Sequence, residues 1–230
     1  IKKKIGCYNK IISVQGDKSL SIRCALIASQ ALGVSKVYNL LESEDVKSTL
    51  KALSKLGIKI IYKKNYYEIY GNGLNGFSFS NNTVINAQNS GTLARLILGV
   101  LAKSNNSVIL KGDNSLAKRD FSRVIKPLNY FGVKIKSNNN KLPIQFKGTQ
   151  FLKPIFFEEL KGSAQVKSCI MLAALNSPGT TKIKCIPSRD HTERFFNHIK
   201  VPIKKTREKE FDIIEVKGQK QYKSFNYKIP

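Results

Sequence analysis

Three stretches of the chain are apolar on nearly every side: Leu20 to Leu32, Thr92 to Lys103 and Ala164 to Asn176. Each is long enough for a helix, carries no proline and lacks the polar stripe of a surface helix, so each predicts a buried helix. Behind each runs the same succession: a short strand-like segment, an amphipathic helical stretch, then two short alternating segments separated by turn residues. In the first copy these are Ser35 to Leu40, Glu44 to Leu56, and Gly57 to Ile60 with Tyr67 to Tyr70. The second copy runs Ser107 to Leu110, Phe121 to Phe131, then Gly132 to Ile135 with Pro143 to Phe146. The third runs Thr181 to Cys185, His191 to Ile199, then Val201 to Lys204 with Asp212 to Val216.

The repeated unit is β-α-β-α-β-β, roughly 65 to 70 residues long, and recurrence of this kind marks an internal repeat. The predicted fold class is therefore α/β (α+β), three such units around buried parallel helices with the amphipathic helices outside. If the leading helices run parallel, their N-termini converge on one end of the domain. Those ends carry Gly16-Asp17-Lys18-Ser19, Asn89-Ser90-Gly91-Thr92 and Ser163-Ala164-Gln165. In the first, Gly16 is expected to permit a tight turn, Ser19 to cap the helix, and Lys18 and Arg23 to add cationic donors. Three positive helix ends aimed at one cleft suit a multiply anionic ligand; ordinary caps on three core helices would use the same residue types.

Composition narrows the classes. With 230 residues and 41% hydrophobic content the chain can bury one substantial core or two modest ones. No run approaches the ~18 apolar residues of a membrane span, and Lys2-Lys3-Lys4 leads into mixed sequence rather than a signal-peptide core. A cytoplasmic protein with no membrane partner is expected. Cys7, Cys24, Cys169 and Cys185 are too far apart for a zinc site or a disulfide scaffold, so they are read as reduced and mostly buried. The net charge of +25 invites a nucleic-acid-binding alternative, but the lysines are spread along the whole chain, which argues against nucleic acid as a partner. Arginines are more selective: seven stand against 33 lysines, and an arginine supplies the planar fork that phosphates and carboxylates accept.

Five blocks carry the chemistry: Gly16 to Arg23; Asn89 to Arg95; Gly112 to Arg119; Ser163 to Ser168; and Ser188 to Arg194. Each is weak alone. In this order and spacing they resemble the 5-enolpyruvylshikimate-3-phosphate synthase family of enolpyruvyl transferases, over essentially the whole chain, and look closer to the class with Ser-Ala-Gln in its third copy. That resemblance implies two domains of three units each, closing over substrates, in a protein that is a monomer at full length. Residues 14–217 would form the shikimate-3-phosphate-binding domain, residues 1–13 a strand segment of the second domain, and residues 218–230 the crossover to it. Family members continue past the equivalent of Pro230 for a further domain.

By the same resemblance, Lys18 would contact both shikimate 3-phosphate and phosphoenolpyruvate. Ser19, Arg23, Ser163, Ala164 through its backbone, Gln165 and Arg189 would hold shikimate 3-phosphate. Gly91 and Arg119 would hold phosphoenolpyruvate. The acid and base residues are expected in the second domain, and no metal or other cofactor is implied. Glyphosate occupies the phosphoenolpyruvate pocket in this family, and insensitive members often carry Ala where this chain has Gly91, which implies sensitivity. Blander roles are expected elsewhere: Arg95 as scaffold, His191 as a cap or surface residue, Asp45 and Glu193 as helix-start charges, Cys24 and Cys169 as core. Gln15, Ile22, Gln88 and Asp120 depart from the family pattern, and Asp120 beside Arg119 raises the question of a competing carboxylate. The nearest alternative, the sister transferase acting on UDP-N-acetylglucosamine, typically has Lys-Asn at Lys18-Ser19 and lacks the Ser188 to Arg194 block. A P-loop is excluded because Asp17 separates Gly16 from Lys18.

Overall fold

A computed structural model describes residue 9, residues 14–218 and residues 220–230. The first unit comprises α1 (Lys18–Ala28), β1 (Leu32–Tyr38), α2 (Glu44–Lys55), β2 (Lys59–Lys63) and β3 (Tyr66–Asn72). The second follows as β4 (Thr83–Asn86), α3 (Gly91–Val100), β5 (Ser107–Lys111), α4 (Asn114–Ala117), α5 (Ser122–Tyr130), β6 (Lys134–Asn138) and β7 (Lys141–Lys147). The third is β8 (Phe156–Glu159), α6 (Ala164–Ala174), β9 (Thr180–Cys185), α7 (His191–His198), β10 (Ile203–Glu208) and β11 (Phe211–Lys217). A last strand, β12 (Asn226–Lys228), closes the chain.

The three sheets have one topology: β12-β1-β3-β2, β4-β5-β7-β6 and β8-β9-β11-β10. In each, the first pair is parallel and the others antiparallel. Helices α3 and α6 are the crossovers joining β4 to β5 and β8 to β9, the connection that parallel neighbours require. The first unit draws its parallel strand from the far end of the chain, with Lys36 opposite Asn226 and Tyr38 opposite Lys228. Strand β12, within the stretch that the resemblance assigns to the crossover, thus completes the first sheet. Tyr222 is buried there, its hydroxyl donating to the Ile27 carbonyl at 2.8 Å.

Sequence periodicity located none of β4, β8, β12 or α4; at three or four residues each they are too short to show a period. The expected first helix also ran four residues too far. Ser29 Oγ and Gln30 Nε2 both donate to the Leu26 carbonyl, ending α1 at Ala28 and freeing Leu32 to open β1. Residues 1–8 and 10–13, with Cys7 and most of the segment assigned to a second domain, lie outside the described residues. Cys24, Cys169 and Cys185 are buried free thiols. No helix among the described residues is long and apolar enough to cross a membrane.

Glycine repeats where each unit's last strand passes over the end of its leading helix. A Cβ on Gly71 would lie 2.3 Å from the Ala28 carbonyl oxygen, on Gly148 2.6 Å from that of Leu101, and on Gly218 2.1 Å from that of Ala174. The leading helices meet closely too. A Cβ on Gly99 of α3 would lie 2.3 Å from the Cys169 carbonyl oxygen of α6, so the two backbones touch there. Gly99→Ala is expected to destabilise the domain by about 1–3 kcal/mol through overpacking. Thermal unfolding should register a loss of about 2–4 °C per kcal/mol; an unchanged midpoint would refute this contact.

Candidate active site

The leading helices are capped alike. Asp17 Oδ1 accepts from the Leu20 N–H at 2.7 Å, Ser90 Oγ from Leu93 at 3.3 Å and Ser163 Oγ from Val166 at 3.4 Å. Each cap takes the third N–H, leaving those of the first two helical residues without an acceptor in their own helix. These are Lys18 and Ser19, Gly91 and Thr92, Ala164 and Gln165. The cap of α1 is therefore Asp17 rather than Ser19, which sits inside the first turn. Gly16 likewise serves for space and not for a left-handed turn: a Cβ there would lie 2.2 Å from the Asn39 carbonyl oxygen.

The ends of α3 and α6 are stitched together. Arg95 Nη1 donates to Gln165 Oε1 at 3.0 Å, and Gln165 Nε2 donates to Thr92 Oγ1 at 3.0 Å, which fixes the orientation of the amide. Arg95 also donates to the Gly91 carbonyl at 3.2 Å and lies over the Phe121 ring, the scaffold role expected of it. A Cβ on Gly91 would lie 2.8 Å from Arg95 Nη1 and 3.0 Å from Arg119 Nη1. Arg119 is held by Asn89, whose Oδ1 accepts from Nη2 at 3.0 Å, while Asn89 Nδ2 donates to Asp113 Oδ2 at 2.7 Å. The Leu116 N–H and Asn89 amide hold the Asp113 carboxyl below its usual range. Beside Gln165 lies a cavity of about 280 Å³ lined by Arg95, Asp120, Arg123, Ser163, Gln165 and Val166.

Lys18, half exposed, pairs with Asp45 Oδ2 at 3.2 Å. Asp45 is thus more than a helix-start charge, and it shares a cavity of about 400 Å³ with Asn89 and Asp113, which places the Lys18 partner close to the Arg119 cluster. The carboxylate of Asp120 accepts from the Ser122 N–H and hydroxyl and forms no ion pair with Arg119, so it is already engaged. Gln88, standing where the family pattern has Gly, adopts φ of 50°, a left-handed conformation that explains that preference.

Arg23 departs most from expectation. Instead of opening into the cleft, its side chain is buried at 3% exposure, with Nε donating to Thr192 Oγ1, Nη2 to Ser168 Oγ and Nη1 to the Ser19 carbonyl. Burial lowers its pKa to about 10. Arg189 lies exposed just before α7. His191 is half-buried, and its Nδ1 is enclosed without a hydrogen-bond partner among the described residues. Glu193, expected as a helix-start charge, lies in the first turn of α7 but is buried and 2.6 Å from Lys167. Sequence reasoning gave no role to Asn89, Thr92, Ser168 or Thr192, although all lie inside the five blocks.

Comparisons with known proteins meet this geometry. The family model for EPSP synthase (3-phosphoshikimate 1-carboxyvinyltransferase) matches residues 2–230. The chain belongs to the EPSP synthase family. Among its relatives, a 3-phosphoshikimate 1-carboxyvinyltransferase of Ruthia magnifica is 49% identical over 80% of this chain and 42% of its own length. One from Vesicomyosocius okutanii is 43% identical over 95% of this chain and 49% of its own. The structure of EPSP synthase from Acinetobacter baumannii aligns with a TM-score of 0.87 at 34% identity, covering 95% of this chain and 49% of that one. The chain spans about half the length of the EPSP synthases it matches.

Burial, with the Arg23 and Arg189 charges, holds the His191 imidazole below its ordinary 6.5, so it is neutral at pH 7. The unfolded chain therefore takes up this proton first as pH falls below 6.5, and this site loses stability on acidification until the folded imidazole also titrates. An NMR titration of His191, assigned by comparison with His191→Gln, should give a midpoint below 6.5. A midpoint at or above 6.5 would contradict the enclosed geometry.

Proposed function

We propose that this chain supplies the shikimate-3-phosphate-binding half of an EPSP synthase, residues 14–217 forming that domain with the remainder belonging to its junction with a second one. The observation that carries the reading is the contact between two half-sites. Gln165, assigned by resemblance to shikimate 3-phosphate, is hydrogen-bonded to Thr92 and Arg95, within one turn of Gly91. Gly91 in turn abuts Arg119, and these two are assigned to phosphoenolpyruvate. Substrates bound to the two sets of residues would therefore lie side by side.

The reaction transfers the enolpyruvyl group of phosphoenolpyruvate to the 5-hydroxyl of shikimate 3-phosphate. A proton adds to the methylene carbon as the hydroxyl attacks the neighbouring carbon, and the tetrahedral intermediate then expels phosphate. Charge is the contribution of this half. N–H groups at three helix starts and the Arg119 fork held by Asn89 stabilise the anions throughout without having to reorganise, while Arg189 adds charge and so does Lys18 on leaving Asp45. Gln165, its amide fixed by Arg95 and Thr92, is oriented to meet the ring hydroxyls. The acid and base fall outside these residues under this reading, and the substrates of a cytoplasmic pathway need neither membrane nor nucleic acid.

Two outcomes are expected. Titrated calorimetrically with shikimate 3-phosphate, the 230-residue chain should bind, and with both substrates present it should release no phosphate above background. Proton transfer alone is worth roughly 10²- to 10⁴-fold, and an open half-cleft also admits water. Absence of binding would contradict the site; turnover comparable to a complete EPSP synthase would contradict the division of labour. Gly91→Ala, in an active EPSP synthase carrying this segment, should weaken glyphosate inhibition more than it raises the KM for phosphoenolpyruvate, because the methyl would press on Arg95 and Arg119. Equal effects on both would refute this assignment of Gly91.

A further inference from the structure

Lys167 and Glu193 form an ion pair almost wholly removed from water: Nζ and Oε1 are 2.6 Å apart, and the side chains are 0% and 3% exposed. A buried pair of this kind is a poor source of stability, because desolvation offsets most of the attraction, so its retention calls for another explanation. Its position supplies one. Lys167 is two residues beyond Gln165 on α6, and Glu193 is two beyond His191 on α7. Their immediate neighbours Ser168 and Thr192 touch each other at 2.8 Å, and both accept from the Arg23 guanidinium. Ser168 Oγ donates to the Ala164 carbonyl, which leaves the Thr192 hydroxyl proton for Ser168 and makes both oxygens acceptors toward Arg23. Glu193 is also the principal negative charge opposing the desolvation of Arg23.

We infer that Lys167 and Glu193 are positioning residues: they lock α7 against α6 at one register, so that Arg23 stays cradled between Ser168 and Thr192 and Arg189 keeps its place at the start of α7. An apolar pair could fill the same volume, but hydrophobic contact is non-directional and would not fix the helices lengthwise. An ion pair does, because its attraction falls off as either charge slides away, and Lys167 Nζ and both Glu193 oxygens have no hydrogen-bond partner among the described residues to hold them otherwise. This inference rests on the proposed shikimate 3-phosphate site, but one of its tests does not.

The variant is Lys167→Met/Glu193→Leu, which removes both charges together and should fold with a melting temperature near or above that of the parent. Two readouts apply. Shikimate 3-phosphate affinity, by calorimetry, is expected to fall at least tenfold in the folded double variant, and an unchanged affinity would overturn the inference. Independently of any ligand, solvent exchange of the Arg23 Nε–H, followed by NMR, should be slow in the parent chain and accelerate at least tenfold in the variant. Equal exchange rates would overturn it even where the parent chain fails to bind, an outcome that separately refutes the proposed function. Should the double variant fail to fold, Glu193→Gln retains the shape of the side chain without its charge and must show the same acceleration; exchange as slow as in the parent would refute the role of the pair.

Discussion

Everything at the candidate site depends on α3 and α6 touching backbone to backbone at Gly99 and Cys169. Side chains of ordinary size would hold helices some 8–10 Å apart. Removing one side chain at the crossing lets the helices approach, and the contacts upstream show that they run in the same direction. From Gly99 and Cys169 back toward the N-termini, the next links are Thr92 and Arg95 with Gln165. Two helix starts are thereby delivered to one place, and the identical strand order of the first unit gives α1 the same relation to its own sheet.

A cluster of helix N-termini and cations would attract carboxylates as readily as substrate, and the nearby acids are disposed of individually. Asp17 caps α1, Asp113 holds Asn89 while capping α4, and Asp120 holds Ser122 at the start of α5. Asp45 pairs with Lys18 at the surface, and Glu193 with Lys167 inside. Each is tied to a local partner, so Arg119 and Arg189 face no direct carboxylate contact among the described residues. High lysine content matters less than this arrangement. The lysines of the strand edges are solvated, whereas the charges at the helix starts act where N–H groups and neighbouring side chains already point.

Much of this was legible beforehand because repetition amplifies weak signals. The leading helices, their companions and the antiparallel strand pairs recur three times, so a pattern ambiguous once became secure on its third appearance. What periodicity could not locate had no period to show: the short β4 and β8 and the four-residue α4, while β12 came only as the crossover that the resemblance implied, its partner β1 lying almost the whole chain away. One repeated feature was overlooked, the glycine ending each unit at Gly71, Gly148 and Gly218. At the site, residue types pointed to the right loops but not to the direction in which a side chain faces. Arg23 looked like an open anion donor, yet it lies in a helical face whose neighbours, Ser168 and Thr192, come from 145 and 169 residues downstream. Long-range partners of that kind leave no trace in local sequence.

Mapping amide chemical shifts in the ¹⁵N-labelled chain during addition of shikimate 3-phosphate addresses the convergence of helix starts most directly. The largest, saturating changes are predicted at Lys18 and Ser19, at Gly91 and Thr92, and at Ala164 and Gln165, three segments far apart in sequence that share one end of the fold. Saturating changes confined to one of the three, or gathered instead on the lysine-rich strand edges, would contradict a common anion site.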